Sequence, residues 1–130
     1  MTSVSPTANF QSTPTPAESP LMWEILVPTL RPDGRPIKTR FHRVWDKRIY
    51  EMCGGLTILN ATKGKWVCPQ GQLYAERMIP VRVVATRSQI SQIVDFTIEY
   101  YEQQAVLCYL VASEVILRYA PGAAAANPSA

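Results

Sequence analysis

Seven of the 13 basic residues lie between positions 31 and 48, and they are the side chains in this sequence most suited to binding a ligand. At about 100° of rotation per residue on a helix, Arg40, Arg43 and Lys47 share the face opposite an apolar stripe. Arg48 falls inside that stripe, so its guanidinium must reach water, pair with an acid, or point into a pocket or a subunit interface. Guanidinium groups bind phosphates through paired hydrogen bonds, so the cluster indicates a small anionic ligand; an ordinary solvated face is the alternative.

Three residues further along the chain extend this candidate site. Trp66 lies on a predicted hairpin, where its ring either clamps the sheet edge, which is the preferred interpretation, or forms the wall of a pocket. Arg77 and Arg82 belong to the strand that follows. The predicted ligand-binding residues are Arg40, Arg43, Lys47, Arg48, Trp66, Arg77 and Arg82.

The sequence offers no recognisable catalytic set. His42 is the one histidine, so a Ser-His-Asp or Cys-His mechanism would have to use it, and it lies on the flank of a predicted helix. The cysteines Cys53, Cys68 and Cys108 form no CxxC pair, which argues against a zinc or redox site and leaves Cys68, in a loop, as the one candidate nucleophile. The P-loop and dinucleotide-binding glycine patterns are both absent. We therefore predict no catalytic residue, no metal and no cofactor.

The chain of 130 residues has the size of one domain, and its composition narrows its class. A formal net charge of +3 is modest for a protein that coats nucleic acid, and 47% hydrophobic residues suffice for a packed core. No apolar run approaches the roughly 20 residues of a membrane span, no signal-peptide pattern occurs, and the odd cysteine count fits a reducing cytoplasm. We predict disordered tails at 1–20, rich in Ser, Thr and Pro, and at 120–130, rich in Ala, around one domain at 21–119.

Hydrophobic periodicity predicts the elements that would position these residues. Helical spacing indicates helices from about Lys38 to Cys53 and from Thr86 to about Gln104. Runs rich in β-branched and alternating residues indicate strands at Leu21–Leu30, at Leu56–Ala61, within Leu73–Thr86, at Ala105–Val111 and at Val115–Tyr119. This order, β-α-β-β-α-β, predicts a ferredoxin-like α+β sandwich: an antiparallel sheet with both helices on one face, here with a C-terminal hairpin extension.

Local signals mark where several elements begin and end. Thr39 is a candidate N-cap of the first helix, and Val44 belongs to its apolar stripe. Thr86 and Gln89 predict a capping box for the second helix. Two glycines, Gly54 and Gly55, end the first helix, Lys63-Gly64 and Pro69–Gly71 predict turns, and Pro80 predicts a bulge or an unpaired position in its strand.

The sheet face without helices is the predicted surface for self-association. Glu24 and Arg82 lie on the two central strands and would pair there, among apolar neighbours. A half-apolar sheet face is rarely left wet, so we predict that a second copy or a ligand covers it. Phe96 and Tyr100, off the core stripe of the second helix, add a further contact surface. The predicted oligomer interface is Glu24, Leu26, Met78, Val84, Phe96 and Tyr100.

Several motifs resemble a group of small bacterial and phage proteins of unknown function. Its members share a GGLT segment after the first helix, then a G-x-W, then a glycine-centred turn. These stand here at Gly54–Thr57, Gly64–Trp66 and Gly71, and Val44–Lys47, Arg77 and Met78–Val81 also match. The resemblance covers most of the core and neither tail. It implies a small cytoplasmic protein of bacterial or phage origin and brings no assigned activity.

These observations favour a non-enzymatic binding protein that forms a homo-oligomer and holds a small anionic, nucleotide-like ligand. By analogy, a phage-encoded protein of this kind would resemble the sponges that sequester signalling nucleotides of host defence. One alternative is a protein-interaction or assembly component without a small ligand, and another is a weak enzyme that uses His42 or Cys68. An RNA-recognition domain shares the fold but needs aromatic residues in its central strands, and here the third strand offers aliphatic residues and Pro80.

Overall fold

The computed structural model describes residues 18–123, so most of the predicted N-terminal tail and the last seven residues of the C-terminal tail lie outside the described residues. The elements in chain order are β1 (Leu21–Pro28), α1 (Thr39–Cys53), β2 (Thr57–Ile58), β3 (Thr62–Val67), β4 (Leu73–Ala85), α2 (Arg87–Tyr101) and β5 (Cys108–Ala112).

One antiparallel sheet organises the fold, with strand order β2-β4-β1-β5 and β3 also paired to β4. The short β2 and the longer β3 lie in succession along the same edge of β4, and together they fill the place of a single strand. Both helices pack on the face that carries Ile25 of β1 and Val83 of β4. The predicted ferredoxin-like α+β architecture is confirmed.

The core between sheet and helices is apolar but contains one buried chain of hydrogen bonds. Trp45 of α1 and Thr97 of α2 are both fully buried. The indole N–H of Trp45 donates to Oγ1 of Thr97 over 2.9 Å, and that hydroxyl donates to the carbonyl of Ile93 over 2.6 Å. Because each buried donor is satisfied, these polar atoms fix how α1 lies against α2 without leaving an unpaired group.

Helix α1 differs from its prediction in two details. Its N-cap is Lys38, which makes no side-chain capping bond, so Thr39 is the first helical residue rather than the cap. Val44 is 57% exposed, because the buried face centres on Trp45 and Ile49 and residue 44 is rotated away from it. The predicted helix end is confirmed, since Gly54 adopts a left-handed conformation with φ of 96°.

Helix α2 starts as predicted. The Thr86 hydroxyl accepts from the backbone N–H of Gln89, and the Gln89 side chain accepts from the backbone N–H of Thr86. The helix ends three residues earlier than expected, at Tyr101, where Glu102 takes a left-handed conformation.

The edge formed by β2 and β3 contains a bulge opposite Pro80. Ile58 pairs with Val81 and Thr62 pairs with Met78, so three residues on this edge stand opposite two on β4. Pro80 has no N–H to donate, and its carbonyl accepts from the N–H of Leu59 over 2.9 Å. The irregularity that Pro80 predicts is therefore present.

Gly64 does not form the predicted turn; it lies within β3 and pairs with Glu76. A Cβ at this position would lie 2.5 Å from Cε of Met78 and 2.9 Å from Cζ3 of Trp66. Glycine is needed there because two large side chains pack over its backbone, and not for a change of chain direction. The turn at Pro69–Gly71 is confirmed, since the N–H of Gly71 donates to the carbonyl of Cys68 and the chain reverses into β4.

The prediction of a C-terminal hairpin extension is wrong. The last strand begins at Cys108 and ends at Ala112, and residues 115–119 have no strand partner within the part of the chain that the structure describes. The chain bends at Ser113, and the segment that follows forms no ladder with β5.

Candidate ligand groove on the helix-free sheet face

A groove of about 720 Å³ occupies the face of the sheet opposite the helices. Leu26 of β1 and Met78 and Pro80 of β4 contribute apolar lining, and Trp66 of β3 lines one side. The other side includes Leu107, just before β5, and Tyr109 within β5. Side chains alternate between the faces of a strand, so the residues that do not face the helices line this groove.

A polar row crosses the groove at Glu24, Arg82 and Tyr109. Glu24 stands directly opposite Arg82 on β4 and opposite Tyr109 on β5. Nε of Arg82 donates to one carboxylate oxygen of Glu24 over 2.9 Å, and the phenol of Tyr109 donates to the other. Glu24 is only 8% exposed, and an unpaired charge at such a position would be costly. The two hydrogen bonds satisfy both of its carboxylate oxygens.

Arg82 is the member of this row with hydrogen-bonding capacity left. Its side chain is 42% exposed, and only Nε is used in the contact with Glu24. Within residues 18–123, its two terminal nitrogens make no hydrogen bond to another residue. Glu24 therefore orients a partly exposed guanidinium whose two terminal nitrogens are available to a ligand.

The polar row shifts the titration of two of its members. The hydrogen bond from Tyr109 holds the pKa of Glu24 below its ordinary value of 4.5; Arg82 acts in the same direction, and burial opposes both. The same carboxylate raises the pKa of Tyr109, so the phenol keeps its proton and remains the donor.

The lowered pKa of Glu24 predicts a loss of stability in acid. A group with a depressed folded-state pKa stabilises the fold above its unfolded pKa, and that contribution disappears as the pH falls through the folded value. We expect the free energy of unfolding to decrease as the pH falls below 4.5. Glu24→Gln should lower the free energy of unfolding by about 1 kcal/mol at pH 7. It should also reduce the loss of stability in acid, which urea titrations at several pH values measure. If the variant loses as much stability in acid as the unmodified chain, Glu24 is not the source of this pH dependence.

The seven predicted ligand-binding residues do not come together. Trp66 and Arg82 line the groove, whereas Arg77 lines a smaller cavity of about 230 Å³ with Thr29 and Leu30. The four basic residues of α1 are exposed on the helix layer, away from the groove. Those four residues are Arg40, Arg43, Lys47 and Arg48.

The position of Arg48 is explained by an aromatic contact. Its Cζ lies 4.6 Å from the ring centroid of Phe96, so the guanidinium reaches solvent across the face of that ring. Phe96 in turn stacks on Tyr100 with a centroid distance of 5.4 Å, and the hydroxyl of Tyr100 donates to the carbonyl of Phe41.

The residues of the predicted oligomer interface lie on two different layers. Phe96 and Tyr100 are half-buried between the helices, on the opposite layer from the four sheet-face residues Glu24, Leu26, Met78 and Val84.

His42 and Cys68 lie on different elements and make no contact with each other. Nδ1 of His42 lies 2.7 Å from the hydroxyl of Tyr101, whose side chain is fully buried. Burial lowers the pKa of His42 and raises that of Tyr101, so the phenol donates to a neutral imidazole. Cys68 lies in the turn between β3 and β4, and no His, Asp or Glu hydrogen bond activates its thiol among residues 18–123.

Sequence reasoning missed Tyr109, the phenol of the polar row. It follows Cys108 in a short apolar run, and its neighbour across the sheet, Glu24, is 85 residues away. Strand alternation separates Tyr109 from Cys108, but the partner of Tyr109 is set by how β5 pairs with β1, which includes a register shift between Met22 and Trp23 of β1.

The fold of this chain is similar to that of solved structures of other proteins. The chain is similar in fold to a phage SAM lyase. That protein, in complex with S-methyl-5'-thioadenosine, aligns with a TM-score of 0.57 and 12% identity over 74% of this chain and 83% of its own. The periplasmic divalent cation tolerance protein CutA from Archaeoglobus fulgidus aligns with a TM-score of 0.56 and 13% identity, over 76% and 88% of the two chains.

A second divalent cation tolerance protein, from Thermus thermophilus, aligns with a TM-score of 0.53 and 12% identity over 74% of this chain and 87% of its own. At these identities the likeness concerns the fold alone. No protein-family model and no curated protein matches the sequence. None of the helices in the described part of the chain has the length and apolar character needed to cross a membrane.

Proposed function

We propose that this protein is a homo-oligomeric binding protein that holds a small nucleotide-like ligand in the groove on its helix-free sheet face. The observation that carries the proposal is that one groove is lined both by the Arg82 guanidinium, which Glu24 orients, and by the Trp66 ring. A planar cationic group and an aromatic face are the two features that recognise a phosphate and a base.

The size of the groove and its mixed lining support this assignment. About 720 Å³ falls within the range of small-molecule sites, which are mostly apolar and carry a few placed polar groups. Leu26, Met78 and Pro80 supply apolar surface for a ring system. Lys63 and Lys65 of β3 also border this groove.

The phage SAM lyase similar in fold to this chain is a protein in complex with a nucleoside, S-methyl-5'-thioadenosine. That precedent supports a nucleoside moiety in the ligand. In the present chain the free donors of Arg82 add a site for an anionic substituent, so a nucleotide is expected to bind more tightly than the neutral nucleoside.

Isothermal titration calorimetry with AMP, ATP, cyclic AMP and S-methyl-5'-thioadenosine tests the proposal. We expect at least one nucleotide to bind, and Trp66→Ala to weaken that binding by about 5- to 100-fold through loss of stacking. Arg82→Lys, which retains the charge but loses the planar fork, should weaken the nucleotide more than the neutral nucleoside.

The matched control is Arg48→Ala, which removes an exposed arginine from the helix layer and should leave binding unchanged. An absence of heat from all four probes with folded protein would overturn the ligand assignment and favour the interaction component without a small ligand. Equal weakening by Arg48→Ala and Trp66→Ala would place the ligand elsewhere.

A further inference from the structure

The segment Glu114–Arg118 is an exposed apolar stretch without a strand partner among residues 18–123. Ile116 and Leu117 are 73% and 74% exposed, and Tyr119 is 68% exposed, which makes them the three most exposed large hydrophobic side chains in that range. Val115 and Ile116 are β-branched residues, a type that is favoured in strands. A stretch of this composition is stabilised when another strand pairs with it.

The described part of the chain provides no strand partner for this segment. Along β5 the pairing passes from Ile25 with Cys108 to Met22 with Ala112, so the chain leaves the sheet at the end of β1 farthest from the Trp66 wall of the groove. Residue 113 forms a bend, and residues 114–120 have no strand assignment. The segment therefore does not pair with β5 in the structure.

The charges at the two ends of the segment have no ion-pair partner in the described part of the chain. Glu114 and Arg118 are exposed, and neither makes an ion pair within the part of the chain that the structure describes. In an extended strand, residues four apart point to the same face about 13 Å from one another, too far for contact. The two side chains cannot pair with each other while the segment stays extended.

A second copy of the same segment is complementary to it. When two Glu114–Arg118 segments run antiparallel with Ile116 opposite Ile116, Glu114 of each copy stands opposite Arg118 of the other, and Val115 stands opposite Leu117. Opposite charges placed directly across an antiparallel pair stabilise it, and like charges destabilise it. In the sequence Glu-Val-Ile-Leu-Arg, the two end charges therefore face opposite charges when a second copy pairs with it about a two-fold axis.

We propose that two copies of this chain join through an antiparallel pairing of Glu114–Arg118 centred on Ile116. The inference rests on the self-association in the proposed function and names the segment that mediates it. The same register places Ala112 opposite Ala120, and the ladder ends at Pro121, which has no N–H to donate. The contact is isologous, as a two-fold dimer requires.

The other free edge of the sheet is less suited to this pairing. The outer edge of β3 carries Lys63 and Lys65, and edge lysines are a device by which sheets avoid pairing with another chain. Between Ala105 and Ser113 the chain carries no charged residue, and Glu114 and Arg118 are arranged to match their own copy.

Reciprocal charge variants test the register by sedimentation velocity over a concentration series. Glu114→Lys makes both end charges positive, and Arg118→Glu makes both negative, so each variant alone should dimerise about tenfold or more weakly than the unmodified chain. Mixed one to one, they restore opposite charges at both ends, and the mixture should dimerise within about threefold of the unmodified chain. Both positions are exposed, so circular dichroism should show unchanged folding.

Glu51→Lys and Arg43→Glu, exposed charge reversals on α1, are the matched controls and should leave dimerisation unchanged. If the two end-charge variants alone associate as tightly as the unmodified chain, or if mixing restores nothing, this pairing is overturned and self-association must use another surface. If the unmodified full chain sediments as a monomer throughout, the self-association in the proposed function fails as well. Ligand binding is measured separately and is unaffected by either result.

Discussion

Replacing Trp45 with alanine is expected to lower the free energy of unfolding by about 3–5 kcal/mol. The indole is fully buried between α1 and α2, and its ring lies 6.4 Å from that of Tyr101, centroid to centroid. The substitution removes this packing and also the indole donor to Thr97. The cavity left behind is closed in by both helices, so it cannot collapse easily, and the cost should fall in the upper range for core truncations.

Equilibrium denaturation in urea, followed by circular dichroism, measures this loss. Trp66→Ala is the matched control, because it removes the same side chain from a position that is 37% exposed, and it should cost less than about 2 kcal/mol. Thr97→Val isolates the hydrogen bond and should cost about 1–2 kcal/mol. Equal losses for Trp45→Ala and Trp66→Ala would mean that the helix layer does not contain the main core.

Gly64→Ala is expected to destabilise the fold by about 1–2 kcal/mol and to weaken ligand binding in the groove by about tenfold or more. The new Cβ would lie 2.5 Å from Cε of Met78 and 2.9 Å from Cζ3 of Trp66, so both side chains must move. Those two residues line the groove, and their displacement fills part of it. Gly64 has no left-handed backbone conformation, so the effect is steric.

Gly55→Ala is the control for this substitution. Gly55 also has an ordinary backbone conformation, and a Cβ there would meet no atom within 4 Å. Stability should change by less than about 0.5 kcal/mol, and ligand binding should stay the same. Thermal unfolding and calorimetry of the two variants side by side provide the comparison; similar behaviour would show that the groove does not depend on the close packing over Gly64.

The parts of the fold that the sequence predicts depend on residues close together in the chain. The capping box of Thr86 and Gln89 and the left-handed Gly54 are local devices, and both are confirmed. Strand alternation is local too, and it places Glu24 and Leu26 on the face away from the helices. Once the ferredoxin-like order is recognised, β1 and β4 become neighbours, so the pairing of Glu24 with Arg82 could be predicted and is present.

The errors arise where one residue pattern fits two different structures. A glycine after a lysine suggests a turn, but Gly64 is required by the packing of Met78 and Trp66, which no local pattern reveals. The segment at Val115 to Tyr119 has strand composition, and composition reports a preference for extended backbone without specifying a partner. Its prediction as an intrachain hairpin is therefore wrong, because the partner strand that the hairpin needs is not supplied by β5.

The candidate site was only partly predictable for a similar reason. Basic residues on α1 are close in sequence and look like a cluster, yet the fold places that helix on the layer opposite the groove. Tyr109 completes the row at Glu24 through the register of β5, which includes an irregularity that no sequence pattern marks. Long-range register therefore decides which polar groups meet, and periodicity decides only which face each one occupies.

The hairpin of β3 and β4 extends beyond the rest of the sheet, because pairing with β1 ends at Pro28 and Met78 while β3 continues to pair as far as Val67 and Leu73. Its tip is supported by its own ladder and not by the helices, so fraying there costs less than global unfolding. The tip carries Trp66, whereas Trp45 is enclosed. Acrylamide quenching of the Trp66 indole would thus report ligand binding and release, while the buried indoles of Trp23 and Trp45 report an intact core.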